Sequence, residues 1–95
     1  MYGTIGRMIP KSGKRDELVA LLSSPPSGTA AAGFRGAYLM KADEGDEVVI
    51  AVMYEDQDSY TAMVHDPATE ANFGKIIELL EAEPTWTDGE WVAAS

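Results

Sequence analysis

Hydrophobic and polar positions along this chain of 95 residues change their period several times, and the order of these changes predicts a fold. The predicted strands are Tyr2 to Ile9, Phe34 to Lys41, Val48 to Tyr54 and Trp86 to Val92. Apolar residues at helical spacing predict helices over Lys14 to Leu22 and, in two pieces, over Asp58 to Leu80. The resulting order, β-α-β-β-α-β, is typical of a ferredoxin-like α+β fold. It predicts a four-stranded antiparallel sheet with the helices on one face.

Three polar residues are expected to begin the helices by accepting hydrogen bonds from free backbone amides. Ser12 is the predicted cap of the first helix and Asp56 that of the next one. Asp66 followed by proline predicts that a further helix begins there. Residues 23–33 show no clear period and are rich in serine, proline, glycine and alanine, which predicts a mobile connection.

The predicted strand beginning at Val48 is apolar at every position as far as Met53, which is expected of a strand buried on both faces. Helices on one side of the sheet would cover only half of these side chains. A chain of this length also buries only about 60–65% of the surface that its unfolded form exposes. We therefore expect residues 1–95 to form a single domain that pairs with a second copy as a homodimer.

Composition excludes several functional classes. The chain carries 16 acidic and 7 basic residues, a net charge of −9, which argues against binding to nucleic acid phosphates. It contains no cysteine, so a disulfide framework or a thiolate metal site is not expected. No apolar run approaches the roughly 20 residues of a membrane span, and no leader pattern precedes the first strand. These features predict a cytoplasmic protein without membrane or metal partners.

Short motifs along nearly the whole chain resemble the antibiotic biosynthesis monooxygenase family. Residues 33–38, Gly-Phe-Arg-Gly-Ala-Tyr, resemble the start of the second strand in that family. Residues 48–60 are similar to its strand that ends in an aromatic residue, followed by an acidic turn and a helix with an early aromatic. Residues 65–67, His-Asp-Pro, fall where the family restarts its second helix, and residues 9–14 are similar to its turn after the first strand.

The resemblance implies a dimeric α+β barrel, in which the sheets of two subunits pack open face to open face. It also implies cofactor-independent oxidation of aromatic polyketides or quinols, although some family members degrade haem and others are isomerases. The haem-degrading branch uses an asparagine on the first strand, where this chain has Gly6 and Arg7. Residues 72–74, Asn-Phe-Gly, stand where that branch has a histidine ligand, so haem degradation is not expected and no cofactor is predicted.

A cofactor-independent oxygenase needs an apolar slot, a group that accepts the substrate proton and donors that stabilise the resulting anion. The predicted slot lies between the sheet and the helices. Its expected lining, beside Tyr60, is Tyr38, Met40, Met53, Met63, Phe73, Trp86 and Trp91. The candidate catalytic residues are Tyr60, His65 as the base and Arg35 as the group that stabilises an enolate.

Alternative roles stay open for each of these residues. The aromatic and methionine side chains also suit an ordinary core, and His65 also suits the end of a helix, where an imidazolium interacts with the helix dipole. Arg35 could instead form an ion pair across a dimer interface. The leading hypothesis is a monooxygenase for a small aromatic or quinol. The alternatives are a non-catalytic dimer that binds a hydrophobic metabolite, and an isomerase or cyclase that needs a base but no oxygen.

Overall fold

Four strands form one antiparallel sheet in the computed structural model, which describes residues 1–93. The strands are β1 (Tyr2–Met8), β2 (Phe34–Lys41), β3 (Val48–Tyr54) and β4 (Thr85–Glu90). Three α-helices connect them: α1 (Arg15–Leu22), α2 (Gln57–Val64) and α3 (Pro67–Glu78). The strand order across the sheet is β2-β3-β1-β4. The predicted ferredoxin-like α+β fold is therefore confirmed.

Local capping chemistry determines where α2 and α3 begin. Asp56 accepts a hydrogen bond from the Ser59 amide at 2.8 Å, and the Ser59 hydroxyl lies against the Asp56 amide in return. Asp66 accepts a hydrogen bond from the Ala68 amide at 2.9 Å, and Pro67 occupies the first helical position. Both predicted caps are confirmed.

The predicted cap at Ser12 is wrong. Helix α1 begins at Arg15 after Lys14, without a side-chain cap. Gly13, at a φ of 78°, forms a turn in which the Lys14 amide donates to the Lys11 carbonyl. This turn separates Ser12 from the first helical amides, so its hydroxyl cannot cap them.

The helices are short, with 8 residues in α1, 8 in α2 and 12 in α3. Isolated helices of this length are marginal in water, so their stability depends on packing against the sheet. Among residues 1–93, no helix combines the length and the apolar character that a membrane span requires.

The main core lies where α1 and the end of α3 cover one face of the sheet. Its buried members are Met8, Leu18, Val48, Ile50, Ile76 and Leu80. The register places Met8 opposite Val48 and Gly6 opposite Ile50, so the even-numbered positions of β1 and β3 face the helices. The odd-numbered positions of these strands therefore lie on the other face, which no helix covers.

A β-bulge near the start of β2 changes which side chains share a face. Phe34 pairs with Tyr54, whereas the next pair along the strand is Gly36 with Met53, so Arg35 is an extra residue. Phe34 consequently faces the helices, with its ring centroid 5.5 Å from that of Tyr54. Tyr38 lies beyond the bulge on the open face. Regular alternation along this strand would place Phe34 and Tyr38 on one face, and the extra residue places them on opposite faces.

The connection from 23 to 33 is partly ordered, because it contains a 3-10 helix at Gly28–Ala31. The Tyr54 hydroxyl donates to the Ala30 carbonyl at 2.7 Å, and the Thr29 hydroxyl bonds to the Asp66 carboxylate. The Glu55 amide donates to the Gly33 carbonyl at 2.7 Å. These bonds hold residues 28–33 against β3 and against the residues that precede α2 and α3. The predicted mobility is therefore wrong for this half of the connection.

Candidate functional site

Two adjoining cavities separate α3 from the helix-covered face of the sheet. The larger has a volume of about 700 Å³ and the smaller about 390 Å³. Both values fall within the roughly 300–1,000 Å³ of small-molecule sites. The residues that line both cavities are Ile50, Val52, Met63, Thr69 and Asn72. The predicted slot between sheet and helices therefore corresponds to two adjoining cavities.

The smaller cavity has aromatic walls. Phe73 on α3 and Trp86 on β4 face each other with ring centroids 6.1 Å apart. Trp86 also lies against the backbone of Gly6, where a Cβ atom would come within 2.3 Å of the indole ring. The absence of a side chain at Gly6 thus allows the indole to lie close to the sheet, which leaves room beneath α3.

Polar groups from three elements meet at one end of the smaller cavity. The Tyr60 hydroxyl, from α2, donates to the Asp88 carboxylate of β4 at 2.9 Å. Thr4 on β1 pairs with Asp88 across the sheet, is only 3% exposed and donates to the Thr87 carbonyl at 3.2 Å. The aromatic ring of Tyr60 packs against Tyr2 at 5.4 Å. A ligand in the cavity would meet a phenol and a carboxylate here, which are joined to each other by one hydrogen bond.

The protonation state of Tyr60 follows from its surroundings. Burial of the phenol and its hydrogen bond to Asp88 raise the pKa of Tyr60 to about 12. Both effects favour the neutral phenol, because the phenolate would lose hydration and would lie beside a carboxylate. At neutral pH Tyr60 is therefore a hydrogen-bond donor, and Asp88 is the group at this end that can accept a proton.

This raised pKa predicts how stability changes in alkali. The unfolded chain releases the Tyr60 proton near the ordinary pKa of 10.0, whereas the folded chain retains it to about 12. The contribution of Tyr60 to the free energy of unfolding is therefore fully present below about pH 10 and is lost as the pH rises towards 12. We expect Tyr60→Phe to reduce this fall, measured as the change of urea midpoint with pH. An equal fall in both proteins would contradict the assignment.

The structure brings four of the predicted lining residues to the cavities and leaves four elsewhere. Tyr60, Phe73 and Trp86 line the smaller cavity, and Met63 lines both. The residues placed on the opposite, open face of the sheet are Tyr38, Met40, Met53 and Trp91. Alternation along β3 directs Met53 away from the helices, and alternation along β2 beyond the bulge does the same for Tyr38 and Met40. The predicted place of these residues in this slot is wrong.

Trp91 belongs to the open face because it follows Glu90 in the strand alternation. Its indole Nε1 donates to the Val52 carbonyl at 3.1 Å, and it lies over Gly3. Tyr38 and Met40 on the same face are 76% and 59% exposed. These side chains form what we call the open-face patch: Ile5, Tyr38, Met40, Met53 and Trp91.

The other two predicted catalytic residues do not line either cavity. His65 is the exposed residue that ends α2, where its amide donates to the Thr61 carbonyl at 3.1 Å. Arg35 is the bulged residue of β2 and forms an exposed ion pair with Glu55 at 3.4 Å. The structure therefore does not bring His65 or Arg35 to Tyr60.

Sequence reasoning missed Asp88, the residue that accepts the hydrogen bond from Tyr60. A signal for Asp88 was present, because it alternates with Trp86 on one face of the predicted last strand. Within residues 1–93, no group of three or more histidine, aspartate or glutamate side chains is arranged to hold a metal ion.

Comparisons with known proteins point to one family. A model of the family described as antibiotic biosynthesis monooxygenase matches residues 1–75. A search of curated protein sequences found no significant match.

Solved structures share the fold. The chain is similar to Rv0793 from Mycobacterium tuberculosis, with a TM-score of 0.81 and 23% identity over 99% of this chain and 97% of that one. It is also similar to SnoaB, a cofactor-independent oxygenase from Streptomyces nogalater, with a TM-score of 0.73 and 16% identity over 99% and 97%. A conserved protein from Methanosarcina mazei matches with a TM-score of 0.78 and 14% identity over 93% and 89%. At these identities the matches establish the fold alone.

Proposed function

This chain belongs to the antibiotic biosynthesis monooxygenase family, and on that premise we propose that it oxidises a small aromatic or quinol-type substrate with molecular oxygen and without a cofactor. The observation that carries the proposal is the pairing of Tyr60 with Asp88 at the polar end of a cavity with aromatic walls. The fold shared with SnoaB, a cofactor-independent oxygenase, supports the same reaction class.

The walls of the smaller cavity suit a flat ring. Phe73 and Trp86 offer aromatic surfaces, and Met63 offers a flexible apolar side chain that adapts to the ligand. A substrate hydroxyl or carbonyl oxygen at the polar end would meet the Tyr60 phenol and the Asp88 carboxylate. These contacts would orient the substrate in the cavity.

The reaction begins with loss of a proton from the substrate. Asp88 accepts the proton of an acidic hydroxyl or methylene group. Once Asp88 is protonated, the neutral phenol of Tyr60 turns its single proton from Asp88 to the resulting oxyanion and stabilises it. The anion then transfers one electron to O₂, and the two radicals combine to form a peroxide at carbon. Loss of water from this peroxide leaves a carbonyl. An anthrone methylene and one O₂ thus become a quinone carbonyl and one H₂O, so atoms and electrons balance.

Oxygen consumption tests the proposal. We expect the protein to accelerate O₂ uptake by a panel of anthrones and hydroquinones above the rate without protein, with one quinone formed per O₂ for an anthrone. Uptake no faster than the rate without protein would contradict the proposal. Conversion that proceeds equally under nitrogen would favour an isomerase or cyclase. Binding without conversion in either atmosphere would favour a metabolite-binding protein.

We further propose that a second copy of this chain covers the open-face patch. The patch is apolar, and Tyr38 and Met40 are its most exposed members. Burying such side chains removes apolar surface from water, which favours association. We expect sedimentation velocity to find a dimer for the native chain and a monomer for Tyr38→Glu, because the carboxylate would be buried without a partner. Glu78→Gln on α3 is the control, and a native monomer at micromolar concentration would contradict the proposal.

A further inference from the structure

Helix α3 covers both cavities, and its residues divide between them. Ala68, Ala71 and Lys75 line only the larger cavity, whereas Glu70, Phe73 and Ile76 line only the smaller one. Thr69 and Asn72 line both. Successive residues of an α-helix rotate by about 100°, which places Asn72 between the two sets and Thr69 beside Ile76 and Phe73. The two cavities therefore adjoin beneath α3, along the line of Asn72.

Charged side chains are segregated between the two cavities. Among residues 1–93, the lining of the larger cavity contains one cation, Lys75, and no carboxylate. The lining of the smaller cavity contains two carboxylates, Glu70 and Asp88, and no cation. The chain as a whole has a net charge of −9, so the charge of the larger cavity is opposite in sign to that of the chain.

Lys75 is free to bind a ligand. The ion pairs found among residues 1–93 are Arg7–Glu47, Lys14–Glu17 and Arg35–Glu55, and Lys75 belongs to none of them. Two serine hydroxyls of the connection after α1, those of Ser24 and Ser27, line the same cavity. An ammonium group and hydroxyl donors together suit a carboxylate.

We propose that the ligand is an aromatic carboxylate whose acid group lies beside Lys75 in the larger cavity, while its reacting ring occupies the smaller one. This inference rests on the proposed function, because it names the substrate class of the same site. The reverse orientation is disfavoured, since it would bring the acid group towards Asp88 and Glu70. The charges thus determine which end of the ligand meets Tyr60 and Asp88.

A pair of fluorescent probes tests this inference without oxidation. 2-Anthracenecarboxylate and 2-anthracenemethanol share one ring system and differ in charge. We expect the native protein at low ionic strength to bind the carboxylate about fivefold more tightly, a preference expected of one partly exposed ion pair. The preference should disappear in Lys75→Gln and decrease at about 0.2 M salt. Lys11→Gln is the matched control, because Lys11 is exposed and lines neither cavity.

Each outcome of the probe experiment supports or overturns the inference. A preference that Lys75→Gln removes and Lys11→Gln retains supports the inference. Equal binding of the two probes, no binding of either, or a preference that survives Lys75→Gln would overturn it. The proposed function is judged separately by O₂ uptake with a neutral anthrone. If the protein accelerates O₂ uptake but binds the two probes equally, this inference alone is overturned. If it prefers the carboxylate probe but accelerates O₂ uptake with no substrate, an anthrone carboxylate included, the proposed function alone is overturned.

Discussion

Asp88→Asn is expected to lower the rate of substrate-dependent O₂ uptake by at least about a hundredfold, the usual contribution of a positioned general base. The amide has nearly the shape of the carboxylate, and its oxygen still accepts the hydrogen bond from Tyr60. It cannot accept a proton at neutral pH, so substrate ionisation would lose its base. We expect kcat to fall much more than substrate affinity, which steady-state uptake and equilibrium binding measure separately.

Glu90→Gln is the matched control for Asp88→Asn. Glu90 lies two residues along the same strand and is exposed, but it lines neither cavity. Its replacement removes the same charge from the same strand and should leave uptake within about twofold of the native rate. Retention of more than half of the native rate by Asp88→Asn, with an unchanged melting temperature, would remove Asp88 from the mechanism.

Leu18→Ala is expected to destabilise the fold by about 3 kcal/mol, because its side chain is fully buried in the core and leaves a cavity. For a chain of this size such a loss lowers the melting temperature by roughly 10–20 °C. Leu18 on α1 packs with Met8 and Val48 of the sheet, so this core supports the strand that carries Thr4.

Thermal unfolding at one fixed protein concentration measures this effect, since association with a second copy would shift the midpoint. Ile77→Ala is the control, because Ile77 on α3 is 39% exposed and should cost about 1 kcal/mol or less. Equal midpoints for the two variants would show that the α1 contact with the sheet is not the centre of the core.

The order of elements followed from the sequence because the signals that produce it are local. The apolar alternation of β2 and the continuous apolar run of β3 predicted Phe34–Lys41 and Val48–Tyr54 with the bounds that the structure has. Asp56 and Asp66 bond to amides two or three residues ahead, so their capping roles could also be predicted. Local chemistry of this kind needs no knowledge of tertiary contacts.

The face of the sheet on which each side chain lies was less predictable, because one extra residue in a strand moves the following side chains to the opposite face. Arg35 carries no mark that distinguishes a bulged residue from an ordinary one. Its neighbour Gly36 adopts a φ of 143°, which glycine allows. The presence of a glycine in the sequence does not reveal that it adopts this conformation. The bulge sends Phe34 towards the helices, and the strand beyond it directs Tyr38 and Met40 to the open face.

The polar end of the smaller cavity could not be predicted because it depends on contacts between distant parts of the chain. Tyr60 and Asp88 are 28 positions apart, and Thr4 reaches Thr87 across 83. Tyr60 was singled out for its place early in a helix, and Asp88 was missed because strand alternation alone does not say which helix residue lies above it. His65 was a candidate base because it is the single histidine of the sequence, and this says nothing of where its side chain lies.

The tethering of residues 28–33 limits how much of the wall of the larger cavity can move. Once Tyr54 and Asp66 hold the 3-10 helix, only residues 23–27 remain as a wall that a ligand could displace. Two of these five are prolines, Pro25 and Pro26, whose ring restricts the backbone to few conformations. This wall of the larger cavity is therefore short and stiff, so a ligand that binds against it should lose little affinity to ordering of the segment.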